Sequence, residues 1–310
     1  MSTAWKRVAI FYALTFLLLV AIPAIHGVAA SGPMDFGAAG ARASAKTGVA
    51  WTSNLLVVIR LSMAEPVLWL IVFGSAVPSL AALLVCAGRR SQVRELLDRF
   101  RLRMPWRGAL KEYGLLILLM VVGLAAVYAL RSALPGPEYG RATGILGPGL
   151  VGALLTAAFL DQGGVLEELG WRGYALPELQ SGLASPVAAA LLVGVGWGLW
   201  HVPRDVTGGV VERLGMFQYL LLFLPSFLAG TISVSIVAAY FVNRCGGSII
   251  PAIMVHGLSN DAVGLSGLAP MDLVLSPYHQ ATKALPFVLI AACTIVVAGR
   301  QLGLGPRVAV

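Results

Sequence analysis

Eight stretches of this chain are long and apolar enough to cross a lipid bilayer, and nothing else in the sequence constrains the fold as much. A spanning helix needs about 20 largely apolar residues. Residues 8–27, 66–88, 114–134, 148–177, 184–202, 216–242, 248–267 and 284–299 each offer a run of this kind. Lipid supplies no hydrogen bonds to the backbone, so such runs fold as helices that satisfy their own. The expected architecture is an all-α, polytopic membrane bundle of about eight transmembrane helices. Composition agrees, with 58% hydrophobic and 12% charged residues against about 25% charged in soluble domains.

The bundle reads as one integrated unit with three sections. Residues 1–147 hold the N-terminal spans and a basic amphipathic segment at 89–112. Residues 148–267 hold most of the polar side chains that fall inside apolar runs, and 268–310 supply a loop and the last span. The first run follows Lys6 and Arg7 and ends near the small residues Val28, Ala29 and Ala30. A cleaved signal peptide shares those features, although this apolar run is long for one. Residues 28–50 are rich in Gly, Ala and Ser and read as a flexible connection outside the membrane. The stretch WTSNLLVVIRLSMAE after it reads as an interfacial helix or an extension of the second span.

A formal net charge of +8 invites a nucleic-acid partner, but the location of the charge excludes that class. Arg89, Arg90, Arg94, Arg99, Arg101, Arg103, Arg107 and Lys111 all lie in one interhelical segment. Positive-inside bias puts such a segment on the cytoplasmic side, beside anionic lipid. The partner expected from this charge is therefore membrane lipid, with no nucleic acid, and the expected location is a bacterial cytoplasmic membrane. Cys86, Cys245 and Cys293 show neither CxxC nor metal-ligand spacing, so no disulfide framework or zinc knuckle is indicated. No internal repeat of fixed period supports a transporter built from inverted repeats.

Ionisable residues inside spans are expensive and mark function. Three short stretches carry nearly all of them: EELGWR at 167–172, WGLWH at 197–201 and HGLSN at 256–260. On a helix, Glu168 and Arg172 are four apart with the acid first, the better order for an ion pair. That pairing leaves Glu167, about 100° around the helix, free to accept a proton from water. Gly194 and Gly198 allow a neighbouring helix to approach closely, and Trp197 lies over the same face as His201. His256 and Asn260 share a face, with Asn260 a hydrogen-bond donor that cannot ionise. A carboxylate, two histidines and an amide supply a base, a proton shuttle and donors for an oxyanion. HExxH, GxSxG and paired-aspartate patterns are absent from the sequence, which disfavours zincin, serine-hydrolase and aspartyl-protease readings.

At these residues the chain resembles the CPBP family of intramembrane proteases, which includes the type II CAAX prenyl endopeptidases. The family pattern is EExxxR, FxxxH and HxxxN. Glu167, Glu168 and Arg172 meet the first, followed by Gly173 and Tyr174. His201 meets the second with Trp197 in place of the usual Phe, and His256 with Asn260 meets the third. The resemblance covers roughly residues 148–267. It implies an endopeptidase acting on a membrane-associated peptide or protein, in which Glu167 and His201 activate water and His256 and Asn260 hold the oxyanion, with Glu168, Arg172 and Trp197 in support. Some members are described as metalloproteases, and Glu167, His201 and His256 could in principle ligate zinc. With Asn260 as the fourth group, metal-free water activation without a cofactor is the favoured reading. Members tied to bacteriocin immunity set the alternative, a proteolytically inactive protein that binds a membrane partner. The site is expected near mid-depth in the bilayer, in a polar cavity that opens toward the cytoplasmic side.

Overall fold

The computed structural model describes residues 3–29, 36–134, 150–183, 185–260 and 275–305, and every regular element in them is helical. In chain order these are α1 (Thr3–Ala29), α2 (Phe36–Thr47), α3 (Leu55–Ala64), α4 (Trp69–Cys86), α5 (Arg90–Leu97) and α6 (Trp106–Ala133). Then come α7 (Leu150–Leu160), α8 (Gln162–Glu168), a π-helical run Leu169–Ala175, and α9 (Leu176–Gly182). They are followed by α10 (Pro186–Trp200), the short α11 (Val202–Thr207), α12 (Val210–Leu214) and α13 (Met216–Gln218), and a second π-helical run Tyr219–Phe223. The chain closes with α14 (Leu224–Arg244), α15 (Ile250–Asn260) and α16 (Pro277–Ala298).

Among the described residues, six stretches have the length and apolar character of membrane spans: Ala4–Ala21, Pro66–Cys86, Trp106–Ala133, Pro186–Thr207, Met216–Arg244 and Pro277–Gln301. The chain is thus an all-α polytopic membrane bundle. Two of the eight expected spans differ from single long helices among the described residues. The run at 148–177 is divided at Asp161, which is extended (φ −61°, ψ 130°) and separates α7 from α8. The run at 248–267 is α15 up to Asn260, and its residues 261–267 lie outside the described residues.

The division at Asp161 has a local cause. The Asp161 side chain caps α8 by accepting from the Gly164 N–H at 2.7 Å, the bond that makes Asp a strong helix start. The Gln162 N–H, left outside any helix, donates to the Ser53 carbonyl at 2.8 Å. Residues 51–54 therefore descend onto the break and complete its backbone hydrogen bonding, as buried backbone requires. The expected flexible connection at 28–50 is also corrected for residues 36–47, which form α2 with Ala39, Gly40 and Ala43 buried. Its alanines favour helix, and Gly40 lets the Trp51 ring lie against it. The following stretch forms α3 as a separate short helix, capped by Asn54.

Small residues set the closest helix approaches. A Cβ added at Gly194 would stand 2.6 Å from the Ile232 Cα, and one at Gly198 would stand 2.6 Å from the Thr231 hydroxyl. α14 is therefore the helix that uses the smooth face of α10. Gly170, in the first π-helical run, meets the backbone of Pro78 in α4 in the same way. Next to it, Trp171 is fully buried and meets the rings of Phe11, Tyr12 and Trp200 edge-on or tilted, with centroids 5.6 to 5.9 Å apart.

The basic segment closes one end of the bundle. Leu96 of α5 is buried while its arginine neighbours are exposed. The Ile249 N–H donates to the Arg99 carbonyl at 2.9 Å, and Arg244 pairs with Glu112. α15 starts at this end, so His256 lies ~9 Å along it at 1.5 Å per residue, well inside the bundle.

Candidate active site

α8, α10 and α15 bring the three polar stretches together. Glu167, Trp197, His201, His256 and Asn260 all line one cavity of about 270 Å³. Glu167 and His256 are 4% and 2% exposed, so the cavity is set among buried side chains. Its other walls come from Trp51 and Ser53 in the 51–54 loop, Ser75 in α4, Phe227 and Thr231 in α14, and Lys283 in α16.

The two glutamates occupy different environments. Glu167 Oε2 accepts from the Trp197 indole N–H at 2.8 Å and from the Trp171 indole N–H at 3.4 Å. Glu167 Oε1 accepts no hydrogen bond from the described residues and stays available in the cavity wall. Glu168 is fully buried and absent from that wall. Its Oε1 accepts from Arg172 Nη1 at 2.6 Å and from His256 Nδ1 at 2.8 Å. Glu168 is therefore the hub of a buried triad, with the Arg172 guanidinium also stacked over the Trp197 ring at 4.7 Å. Such a triad is costly to disrupt, because removing one member strands a buried charge.

Each histidine is fixed through Nδ1. The His201 Nδ1 lies 2.8 Å from the Trp197 carbonyl. A carbonyl only accepts, so Nδ1 carries the proton and Nε2 keeps its lone pair when the ring is neutral. The His201 ring is held edge-on by Trp200 and Phe227, at 4.9 and 5.1 Å between centroids. His256 donates Nδ1–H to Glu168, which turns Nε2 toward α8. A Cβ added at Gly163 would stand 2.6 Å from His256 Nε2 and 3.2 Å from Glu167 Oε1. Gly163 is therefore the floor on which the free faces of both groups meet. Asn260 lines the cavity and donates from Nδ2 to Asp161 Oδ1 at 3.3 Å.

Among the described residues, no group of three His, Cys, Asp or Glu side chains is arranged to hold a metal ion. The scheme below uses Glu167, His201 and His256 as acid–base and hydrogen-bonding groups.

Several lining residues were not evident from the sequence. Asp161 and Gln162 fall inside the single span expected at 148–177; in the structure Asp161 lines the site. Ser53 and Lys283 carry no motif, and only tertiary packing brings them in. The lining residues Ile71 and Ser75 lie near the start of α4, Trp197 and His201 near the end of α10, and Gln280 and Lys283 near the start of α16. Each helix runs from there to the end occupied by the basic segment, or begins at that end. The cavity therefore sits in the half of the bundle away from residues 89–112, whose expected placement on the cytoplasmic side by positive-inside bias is at odds with a cytoplasmic opening.

Residues 147–261 match the family model described as type II CAAX prenyl endopeptidase Rce1-like. A curated relative, the CAAX prenyl protease 2 of Methanococcus maripaludis, is 34% identical over 94 residues. That match covers 30% of this chain and 34% of the relative, so the chain spans about a third of the relative's length. The matched segment contains Glu167, Glu168, Arg172, Trp197, His201, His256 and Asn260. Residues 147–261, with all three polar stretches, are thus similar to the Rce1-like type II CAAX prenyl endopeptidases.

Proposed function

We propose that this protein is an intramembrane endopeptidase that hydrolyses a peptide bond of a membrane-associated or lipidated substrate with a water molecule activated by Glu167 and His201. The observation that carries this reading is the free Oε1 of Glu167, facing a cavity that it shares with two histidines and an amide.

Glu167 accepts a proton from water and holds it at Oε1, while the indoles of Trp197 and Trp171 keep Oε2 occupied. His201, with its Nε2 lone pair free, accepts a hydrogen bond from the same water and orients it, and the proton held at Glu167 Oε1 then passes to the leaving amine as the C–N bond breaks. As the carbonyl carbon becomes tetrahedral, its oxygen gains negative charge that needs fixed donors. The Asn260 amide is one. His256 is the second: Glu168 behind Nδ1 balances the imidazolium form, in which Nε2–H donates. The fully buried Arg172 keeps Glu168 in place. The surrounding apolar helices exclude bulk water, which strengthens each of these interactions.

The test uses purified full-length protein in proteoliposomes, offered a farnesylated peptide ending in a CAAX box and the same peptide without the lipid. Cleavage products are read by mass spectrometry. The proposal expects cleavage of the lipidated peptide by wild type and none by Glu167→Gln. Equal cleavage by Glu167→Gln would overturn the mechanism. Stable retention of intact peptide without cleavage would favour the partner-binding alternative.

A further inference from the structure

Asp161 lines the cavity at 1% exposure, and its two oxygens are used unequally. Oδ1 accepts from the Gly164 N–H at 2.7 Å and from Asn260 Nδ2 at 3.3 Å. Oδ2 is buried without a partner among the described residues. Helix capping alone would be met by Asp, Asn, Ser or Thr, and it leaves the bond to Asn260 unexplained.

An amide side chain has two faces, one donating and one accepting, and a hydrogen-bond donor for an oxyanion must present the donating one. A carboxylate only accepts, so Asp161 fixes the Nδ2 end of Asn260 on its own side. The second Nδ2 hydrogen and the carbonyl oxygen of Asn260 are then set relative to the cavity. The geometry is stiffened around this contact. A Cβ at Gly257 would overlap the Ala157 carbonyl and approach the Asp161 Cβ to 2.8 Å, so α15 lies directly on the α7–α8 break. On the other side of the break, the Gln162 side chain donates to the Ile71 carbonyl at 3.2 Å and the Ser75 hydroxyl at 2.6 Å.

We infer that Asp161 is a positioning residue for Asn260: its carboxylate orients the amide so that an N–H faces the reacting carbonyl. This rests on the hydrolytic reading above. Asp161 itself touches no reacting atom in this scheme, and it exchanges no proton.

The experiment compares kcat and KM on the farnesylated CAAX-box peptide for wild type, Asp161→Asn, Asp161→Ser, Asn260→Ala and the double variant Asp161→Ser/Asn260→Ala. Asn keeps both the cap and an acceptor at Oδ1. Ser keeps the cap but is too short to reach Asn260. A lost hydrogen bond of this charge-assisted kind predicts a fall in kcat of roughly tenfold or more for Asp161→Ser. KM should stay within about twofold, and Asp161→Asn should recover most of the rate. In the Asn260→Ala background, Asp161→Ser should change kcat by no more than about twofold, because the group it positions is gone. An equal fall in both backgrounds would overturn the inference, as would a change confined to KM. Asp161→Thr serves as the second cap-retaining variant. If neither Ser nor Thr yields monodisperse folded protein, the carboxylate serves the fold alone and the positioning role is refuted. Wild type without turnover brings down the hydrolytic reading and this inference together, whereas turnover with an unaltered Asp161→Ser brings down the inference only.

Discussion

The Trp197 indole N–H donates to Glu167 Oε2 at 2.8 Å, joining α10 to α8 across the cavity. The family's usual Phe at this position has no donor, so here an aromatic wall residue also holds one oxygen of the carboxylate and leaves the other to face water. Hydrogen bonds to charged groups contribute about 1.5–3 kcal/mol. Trp197→Phe is expected to lower kcat about ten- to a hundredfold while the protein still elutes as a folded monodisperse species. Steady-state kinetics with a size-exclusion control would check it, and an unchanged kcat would remove the bond from the mechanism.

The glutamates should separate under the same substitution. Glu167→Gln removes the proton acceptor but leaves an isosteric side chain, so activity is lost with little change in thermal stability. Glu168→Gln leaves Arg172 buried with no countercharge and weakens the hold on His256. Breaking a buried pair costs about 3–5 kcal/mol, and thermal unfolding in detergent should show a lowered midpoint for Glu168→Gln only.

Gly163 offers a sharper probe, because its effect on the helix and its effect on the site oppose each other. Alanine is favoured over glycine inside a helix by about 1 kcal/mol, which offsets part of the ~1–3 kcal/mol of overpacking. Its methyl group would occupy the space in front of His256 Nε2. Displacements of this size can cost about a hundredfold in rate. Gly163→Ala should thus be a near-normally stable protein with activity reduced by that order, and full activity would show that the meeting point at Gly163 is not where substrate reacts.

Orientation can be read directly. In a background lacking the native cysteines, Thr52→Cys is expected to react with a membrane-impermeant maleimide added outside intact spheroplasts. Arg103→Cys should react only after lysis. The reverse pattern would turn the bundle over and restore a cytoplasmic opening.

Glu65 tests the α2–α3 pair at the cavity rim. Hydrogen bonds from Lys46 and Arg42 hold its carboxyl below the usual glutamate range. A lowered folded value means that the contribution is present above the unfolded value, about 4.3, and fades as pH falls through the folded one. Hydrogen exchange of residues 36–65 should accordingly stay constant from neutral pH to about pH 5 after correction for intrinsic rates, and accelerate below about pH 4. Glu65→Gln should abolish that pH response, and a response that persists would assign it elsewhere.

Much of the bundle was readable in the sequence, because apolar runs and i,i+4 spacing are local signals. Glu168 with Arg172, and His256 with Asn260, sit on common helix faces for that reason. The hold of Glu168 on His256 was not readable, since it joins residues 88 positions apart. Neither was the division at Asp161. A carboxylate followed by glutamine and two glycines marks the end of an apolar run equally well, and the deciding contact is a backbone bond to Ser53. The alanine content of α2 was present in the sequence, but its serines and glycines suggested flexibility, and only burial against α3 decides between the two.

The bond from the Gln162 N–H to the Ser53 carbonyl carries a consequence for how this protein can be recombined. The family-matched segment begins at residue 147, yet α8, its first motif-bearing helix, starts on a hydrogen bond supplied by a residue 109 positions upstream. A chimera that transplants residues 147–261 into a related bundle would carry every motif and still lack the strut beneath α8. Transplants that move 51–54 together with that segment should keep the site's geometry. In heredity as in engineering, the unit that must travel intact is a pair of distant pieces, and a recombination junction between them separates α8 from its footing.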